Sequence, residues 1–289
     1  MVEPEGEFGM TGWLLRRWLS RARTRGALLV LVPIVLVAVL APLLPLDATS
    51  QDLRATFTPP GGESASGRTY LLGTDELGRD LAARIVHGTR SSLIVGAAAL
   101  AIALLVGTAL GLLAGYFGGL MDAVVTGLTE TLMTLPFILL AIAVIAAVGA
   151  SPTVLVLTLG LTGWVSFAKL VRAKTFELRG EEFVVAAQAL GVSSFGAMVR
   201  HVLPNVAPLL IVDGTLQFGA LILAEAGLSF LGLGVPPPTP TLGGILAGGQ
   251  LYVAVAWWIS ALPGAVLLAM VVSFNVLGDT LRDALAPGR

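Results

Sequence analysis

The sequence predicts an all-α membrane protein built from six transmembrane helices. Of its 289 residues, 56% are hydrophobic and 12% are charged, whereas a soluble domain carries about a quarter charged residues. The mean hydropathy is +0.90, and apolar stretches of about one bilayer thickness alternate with polar segments. A chain of this length accommodates about six spans together with their loops.

The composition also excludes several kinds of site. No cysteine is present, which rules out disulfides, thiolate metal sites and cysteine nucleophiles. The formal net charge of −1 gives no overall attraction to nucleic acid. The two histidines, His87 and His201, are interpreted as a loop or helix-start residue and a polar loop residue, so no metal site is predicted.

Residues 1–26 are predicted to be a cytoplasmic tail, and 27–46 the first transmembrane helix. A cleaved signal peptide is the alternative, but its apolar core would be only about 7–15 residues long. Pro42 and Pro45 end the stretch without a small-residue cleavage site, which favours a retained span. The tail carries five arginines between positions 16 and 25, and this charge places the N-terminus in the cytoplasm.

Residues 47–90 form a polar segment that is predicted to be an extracytoplasmic loop. Positions 62–69 differ from a phosphate-binding loop in having Arg68 in place of lysine. No apolar strand precedes them, so they are interpreted as an ordinary loop. Asp80 is predicted to lie near a helix start, where an acidic side chain complements the helix dipole.

Residues 91–289 are predicted to form a five-helix core. The first helix of this core, 91–115, carries Gly107, Gly111 and Gly115 at a four-residue spacing. Such a face lets two helices approach closely, either within the subunit or between subunits. The remaining spans are predicted at 121–148 with a kink at Pro136, and at 154–170, 206–231 and 258–277, the last with Trp257 and Trp258 as interfacial anchors.

The loop between the fourth and fifth spans, 177–205, is predicted to contain two short helices. Gly191 separates the helices, Ser193 or Ser194 caps the second, and Pro204 ends it. An ordinary interfacial loop is the alternative. Twelve of the 17 lysines and arginines fall on one side of the six-span topology. The positive-inside rule then places this loop and both termini in the cytoplasm.

The two-helix loop resembles the EAA loop of ABC importer permeases. That pattern is Glu-Ala-Ala, three residues, Gly, nine residues, then Ile-x-Leu-Pro. Ala186, Ala187, Gly191 and the pair Leu203-Pro204 match it, while Val185 replaces the usual Glu and His201 the usual Ile. The resemblance implies an ATPase-coupling function for these residues: Glu181, Glu182, Ala186, Ala187, Gly191, Phe195, Met198, Leu203 and Pro204.

Three further motifs narrow the resemblance to the permeases of dipeptide, oligopeptide and nickel importers. Positions 72–80 are similar to the LGTDxLGRD signature, and 225–234 to EAxLSFLGLG followed by a proline-rich loop. Positions 274–287 are similar to FNxLGDxLRDxLDP, with Ala286 in place of Asp. The resemblance covers about residues 70–289 and implies the C-type permease of the pair, with a type I ABC importer fold.

The resemblance also implies a set of partners. The chain contains no credible nucleotide site, so two separate ATPase subunits are expected to bind ATP and magnesium. A second homologous permease and an extracytoplasmic binding protein are expected as well, in the inner membrane of a prokaryote. No catalytic residue, cofactor or nucleic-acid partner is expected in this chain. The favoured cargo is a di- or oligopeptide, and nickel or another small solute is the alternative.

Apolar residues of the two-helix loop are expected to fill a groove on an ATPase, namely Phe183, Leu190, Phe195, Met198 and Val199. Glu130, Asp213, Gln217 and Glu225 are candidates for a translocation path or gate, because ionisable residues within a membrane are costly and usually functional. A proton-coupled carrier is a rival hypothesis. It is disfavoured because Asp213 and Glu225 are predicted to lie about 18 Å apart on one helix. A passive channel or scaffold would need no ATPase.

Overall fold

The computed structural model describes residues 18–19, 21–64 and 67–285, and within these ranges the regular secondary structure is helical, with two isolated β-bridges in the non-helical polar segment. Most of the predicted tail 1–26 lies outside the described residues, as do Ala286 and Arg289. The helices of this part of the chain are α1 (Ala22–Leu40), α2 (Leu81–Phe117), α3 (Gly119–Thr134), α4 (Phe137–Val148), α5 (Pro152–Leu178), α6 (Glu182–Ala189), α7 (Ser194–Ala197), α8 (Leu203–Phe230), α9 (Leu242–Gly249) and α10 (Trp258–Leu285).

Five helical segments of the described chain are long and apolar enough to cross a membrane, and a sixth span is obtained if α3 and α4 are counted together. This confirms the predicted all-α membrane fold. The helices extend beyond the predicted apolar stretches, since α1 begins at Ala22 and α2 at Leu81. Hydropathy marks the part of a helix that is suited to lipid, whereas the helix itself continues into the polar boundary.

The third predicted span is two helices rather than one kinked helix. The structure bends by 91° between α3 and α4, and Leu135 adopts an extended conformation there (φ −91°, ψ 126°). Pro136 explains the break. Its ring disfavours the helical conformation of the preceding residue, and it has no N–H to donate within a helix.

The glycine face of α2 packs against α5 within this subunit. A Cβ atom at Gly107 would lie 2.5 Å from the Trp164 carbonyl oxygen, and one at Gly111 would lie 2.7 Å from that of Ala168. Real side chains do not tolerate such distances, so only glycine permits this approach. The structure confirms the predicted close-packing face and assigns it to an intramolecular contact.

The polar segment is a folded unit fixed to the bundle. Asp75 is almost fully buried and accepts hydrogen bonds from the Leu77 N–H at 2.9 Å and from Arg79 Nε at 2.6 Å. Arg84 Nε of α2 lies 3.1 Å from the same carboxylate. Trp258 Nε1 of α10 donates to the Thr74 carbonyl at 3.1 Å. The segment is therefore anchored to two membrane helices.

Asp80 caps α2, as predicted. Its side chain accepts hydrogen bonds from the backbone N–H groups of Ala82 and Ala83, which have no partner within the helix. The region 62–69, by contrast, does not lead into a helix, because Glu63 and Thr69 form an isolated antiparallel bridge. The described part of this region is thus a turn, in agreement with its interpretation as an ordinary loop.

The structure confirms two of the three helix boundaries that were predicted for the two-helix loop. Gly191 has φ +91°, and the pair of bonds from Gly191 N to the Gln188 carbonyl and from Val192 N to the Ala187 carbonyl ends α6. Ser193 caps α7 by accepting from the Gly196 N–H at 3.2 Å. These bonds make the turn between α6 and α7 a defined structure.

The predicted end of the second helix at Pro204 is wrong. A π-helical turn spans Met198–Val202, and α8 begins at Leu203 with Pro204 in its first turn. Leu203 donates its N–H to the carbonyl of Met198, five residues back. In this wide turn a proline is accommodated without breaking the chain direction. One continuous helical segment therefore runs from the loop into the membrane, Ser194–Phe230.

Candidate functional site

The two-helix loop packs one of its sides onto the bundle. Val184 of α6 and Ala197 of α7 are fully buried, and they share a hydrophobic core with residues of α2, α5 and α8. The same core includes Leu112, Phe167, Val171, Leu178, Met198, Val202 and Val206. A loop held by such a core moves together with the helices beneath it.

Polar contacts reinforce this attachment. Arg179, at the end of α5, donates from Nη1 to the carbonyls of Gly115 at 3.3 Å and Tyr116 at 3.1 Å. Gln188 of α6 donates from Nε2 to the Tyr116 hydroxyl. The C-terminal end of α2 is thereby joined both to α5 and to the loop.

The opposite side of the loop exposes large apolar side chains. Leu190 is 87% exposed and Phe195 is 72% exposed, and three further apolar residues are about half exposed: Phe183, Val185 and Val199. Exposed apolar residues grouped in this way are typical of a protein–protein interface. We call Phe183, Val185, Leu190, Phe195 and Val199 the docking face.

The predicted coupling residues divide between the two sides of the loop. Met198 differs from expectation, because it is only 4% exposed and packs into the subunit's own core, where it is not available to a partner groove. Glu181 precedes α6 without a side-chain capping bond, and Glu182 lies in the first turn. The exposed predicted residues are Glu181, Glu182, Ala186, Gly191, Phe195 and Pro204, whereas Ala187 and Met198 are buried and Leu203 is partly buried.

A second candidate region is one face of α8. Asp213, Gln217, Ala220 and Ala224 follow one another at spacings of four, three and four residues, which places them on the same side of a helix. Asp213 lines a cavity of about 590 Å³, and the other three line a second cavity of about 310 Å³. The face therefore joins the two cavities along the helix axis.

The smaller cavity lies where the third span is broken. Leu135 of the break and its neighbours Met133 and Phe137 line it, opposite Gln217 and Ala220 of α8. Irregular backbone at membrane depth is tolerated only where protein buries it or where it borders a water-filled cavity. The break between α3 and α4 thus borders a cavity, as this rule requires.

Asp213 and Gln217 line cavities, but Glu225 does not line either one. Its carboxylate is fully buried and accepts hydrogen bonds from the Ser92 and Ser229 hydroxyls, both at 2.7 Å. The Leu242 N–H lies 3.4 Å from Ser92 Oγ. Glu225 consequently joins α8 to α2 and to the start of α9, which is a packing contact rather than a surface along a path.

Glu130 is exposed on α3 and lines neither cavity. It acts electrostatically on Arg172 of α5, which forms an ion pair with Asp122 of α3, Nη2 to Oδ2, at 2.8 Å. The structure therefore does not bring Glu130, Asp213 and Glu225 together. Their separate surroundings give no support to a proton relay through the three acids.

Two basic residues of the larger cavity were not recognised as site residues from the sequence. Lys174 and Arg282 are, in the sequence, two of the twelve lysines and arginines on one side of the six-span topology. Their shared cavity depends on the packing of α5 and α10 around α8, which no local pattern reveals. In the described ranges, no group of three or more His, Asp or Glu side chains is arranged to hold a metal ion.

Comparison with known proteins identifies the family. Residues 107–289 match the family described as binding-protein-dependent transport system inner membrane component. The chain is 39% identical to the di/tripeptide transport system permease protein DppC of Pseudomonas aeruginosa (strain UCBPP-PA14), covering 93% of this chain and 90% of that protein. It is 36% identical to the dipeptide transport system permease protein DppC of Haemophilus influenzae, covering 93% of each chain. It is 38% identical to the oligopeptide transport system permease protein OppC of Mycobacterium bovis, covering 95% of this chain and 93% of that protein. The chain therefore belongs to the binding-protein-dependent transport system inner membrane components, the multi-pass permease subunits of ABC importers.

Proposed function

We propose that this chain forms half of the membrane path of an ATP-driven importer for di- or oligopeptides. Relatives named as di/tripeptide, dipeptide and oligopeptide permeases match it over at least 90% of both chains. An extracytoplasmic binding protein delivers the peptide, and two separate ATPase subunits hydrolyse ATP. The chain itself is not an enzyme.

The two-helix loop and both termini face the cytoplasm in this proposal. Basic residues support the orientation: Arg21, Arg172, Lys174, Arg179 and Arg282 all lie at the end of the bundle that carries the loop. An excess of lysine and arginine is typical of the cytoplasmic side. The folded polar segment then lies outside, where the binding protein docks.

The single observation that carries the coupling proposal is the two-sided loop. Its outer side is the docking face, and its inner side shares one core with α2, α5 and α8. An ATPase that binds Leu190 and Phe195 in an apolar groove is thereby connected, through the core of the loop, to the membrane helices. Because α7 continues into α8 without a break, a movement of the ATPase is transmitted directly to the helix that carries Asp213 and Gln217.

A second homologous permease completes the path. The α8 face is only partly covered by its own subunit, since Asp213 and Gln217 are half-buried and Ala220 is exposed. A partner that presents a similar face would enclose the two cavities between the subunits. ATP-driven approach of the two loops would then open this enclosed path toward the outside, as alternating access requires.

Substitutions on the docking face test the coupling proposal. Leu190→Asp and Phe195→Asp place a charge in the apolar contact without disturbing the core, because both side chains are largely exposed. We expect the importer to lose its ATPase subunits on purification and to lose peptide uptake, while this chain still inserts into the membrane. Leu53→Asp is the matched control, since Leu53 is 71% exposed in the polar segment.

Co-purification of the ATPases and uptake of a radiolabelled dipeptide into vesicles are the two readouts. Retention of both by Leu190→Asp and Phe195→Asp would contradict the coupling proposal. If Leu53→Asp also lost the ATPases, the loss would reflect general misfolding, and the docking face would no longer be supported. Normal ATPase binding with no peptide uptake in the unmutated importer would contradict the peptide cargo alone.

A further inference from the structure

The larger cavity combines charges of both signs within apolar walls. It has a volume of about 590 Å³ and lies among α5, α8 and α10, at the end of the bundle that carries the two-helix loop. Asp213 supplies a negative charge, and Lys174 and Arg282 supply positive charges. The walls between them are largely apolar, with Leu170, Leu209 and Leu216 among the lining residues.

The charges of this cavity do not neutralise one another by direct contact. Asp213 Oδ2 is enclosed and has no hydrogen-bond partner, although Arg282 acts on the carboxylate electrostatically. Among the residues that the structure describes, no ion pair joins Asp213 to Arg282 or to Lys174. Lys174 instead contacts Glu177, Nζ to Oε1, at 2.5 Å. An enclosed polar atom without a partner is costly, and a ligand that supplies one recovers that cost.

We propose that this cavity binds the two termini of a peptide in transit, with Asp213 receiving the terminal ammonium and Arg282 the terminal carboxylate. A peptide with free ends carries charges of both signs, as the cavity does. A dipeptide is about 7 Å long when extended, and cavities of about 300–1,000 Å³ are typical of small-ligand sites. Arg282 can bind a carboxylate through two parallel N–H donors, while Lys174 adds a second positive charge.

The apolar walls suit a carrier of peptides with many different side chains. Charged groups at the two termini recognise what all such peptides share, and leucine side chains impose no hydrogen-bonding requirement on what differs. The position also suits a cargo in transit, because Asp213 continues the α8 face that runs from Gln217 and Ala220. The inference rests on the proposed peptide importer, in which this cavity is the last site that the peptide occupies before it reaches the cytoplasm.

A phospholipid with an ammonium headgroup shares the same chemistry. Phosphatidylethanolamine carries an ammonium and a phosphate a few atoms apart, and apolar side chains could hold its acyl chains. A peptide and this lipid can be distinguished experimentally. Acetylating the N-terminus of a peptide or amidating its C-terminus removes one of the peptide's charges and leaves the lipid unchanged. Removing phosphatidylethanolamine from the membrane leaves the peptide unchanged.

The absence of cysteine from the chain permits a direct test. In the complete importer, reconstituted without its binding protein, a Leu209→Cys substitution places the chain's only thiol in the cavity wall. Labelling of this thiol by a maleimide is followed on the separated subunit, with and without dialanine. Ile211→Cys is the matched control, since Ile211 lies on the same helix, is 60% exposed and does not line the cavity.

We expect dialanine at about ten times its dissociation constant to slow labelling of Leu209→Cys about tenfold, and not to affect Ile211→Cys. Adding Asp213→Asn or Arg282→Gln should raise the dialanine concentration for half-protection about tenfold, because each removes a charge-assisted contact. N-acetyl-dialanine and dialanine amide should protect correspondingly less.

Three outcomes would overturn the inference. The first is equal protection by dialanine and by its blocked forms. The second is no protection in an importer that, with its binding protein restored, takes up dialanine normally, a result that leaves the proposed function intact. The third is protection that follows the phosphatidylethanolamine content of the vesicles rather than the peptide, which would make the cavity a lipid site. An unmutated importer that takes up no dipeptide would instead contradict the proposed function.

Discussion

Replacing Gly111 with alanine tests whether the glycine face of α2 fixes the distance between α2 and α5. The new Cβ would lie 2.7 Å both from the Ala168 carbonyl oxygen and from Val171 Cβ, whereas ordinary contact begins at 3.4 Å. The two helices must therefore separate by about 0.7 Å at this point. One obstacle is backbone and the other is the branch point of a valine, so neither can rotate away.

Overpacking of this kind costs about 1–3 kcal/mol, and alanine recovers about 1 kcal/mol through its higher helix propensity. At the upper end of that range the net loss is about 2 kcal/mol. For a chain of this size such a loss corresponds to a fall of about 3 °C in the unfolding midpoint. The neighbouring contacts at Gly107 and Gly115 are equally close, which leaves little freedom for local adjustment.

The measurement is the midpoint temperature at which the purified importer loses this subunit from its monodisperse peak in detergent. Gly227→Ala is the matched control, because Gly227 also lies in a membrane helix and a Cβ there meets nothing within 4 Å. We expect the control to leave the midpoint unchanged or to raise it by about 2 °C. Equal midpoints for the Gly111→Ala and Gly227→Ala variants would refute the argument that α2 and α5 are held together by the glycine face.

Two further predictions concern buried carboxylates. Glu225→Gln should preserve the fold, because an amide keeps an acceptor for the Ser92 or Ser229 hydroxyl. Glu225→Leu should lower the same unfolding midpoint, since each unpaired buried hydroxyl costs about 1–3 kcal/mol. Indistinguishable midpoints for the two variants would show that the hydrogen bonds of Glu225 to the two serines do not stabilise the fold. Asp75→Asn should loosen the polar segment, because it leaves Arg84 buried without its counter-charge, at a cost of about 3–5 kcal/mol. Limited proteolysis of the segment in vesicles measures this effect against Asp47→Asn, an exposed control, and equal cleavage rates would contradict the anchoring function of Asp75.

Features that depend on a few neighbouring residues could be predicted from the sequence. Asp80 as a helix cap, Gly191 as a helix end and Ser193 as the next cap follow from local backbone geometry, and the structure shows all three. The membrane class follows from composition, since hydrophobic residues in such excess cannot be buried inside a soluble fold of this length. The glycine spacing of α2 likewise indicated a close contact.

Features that depend on distant residues required the tertiary structure. The partner of the glycine face is α5, the inward position of Met198 is set by a core drawn from five helices, and Glu225 faces Ser92, which is 133 residues away. The passage of the chain through Pro204 depends on the π-turn before it.

The cavity lined by Lys174, Asp213 and Arg282 also could not be predicted from the sequence. Each residue alone is an ordinary charge on a helix, and only the packing of α5, α8 and α10 places the three around one space. The sequence by itself therefore determined the membrane class, the apolar segments of the spans, the caps and the presence of the two-helix loop, which arise from composition and local conformational preference. Tertiary packing decided which side of the loop is free and which charges share a cavity, because both depend on contacts between residues far apart in the chain.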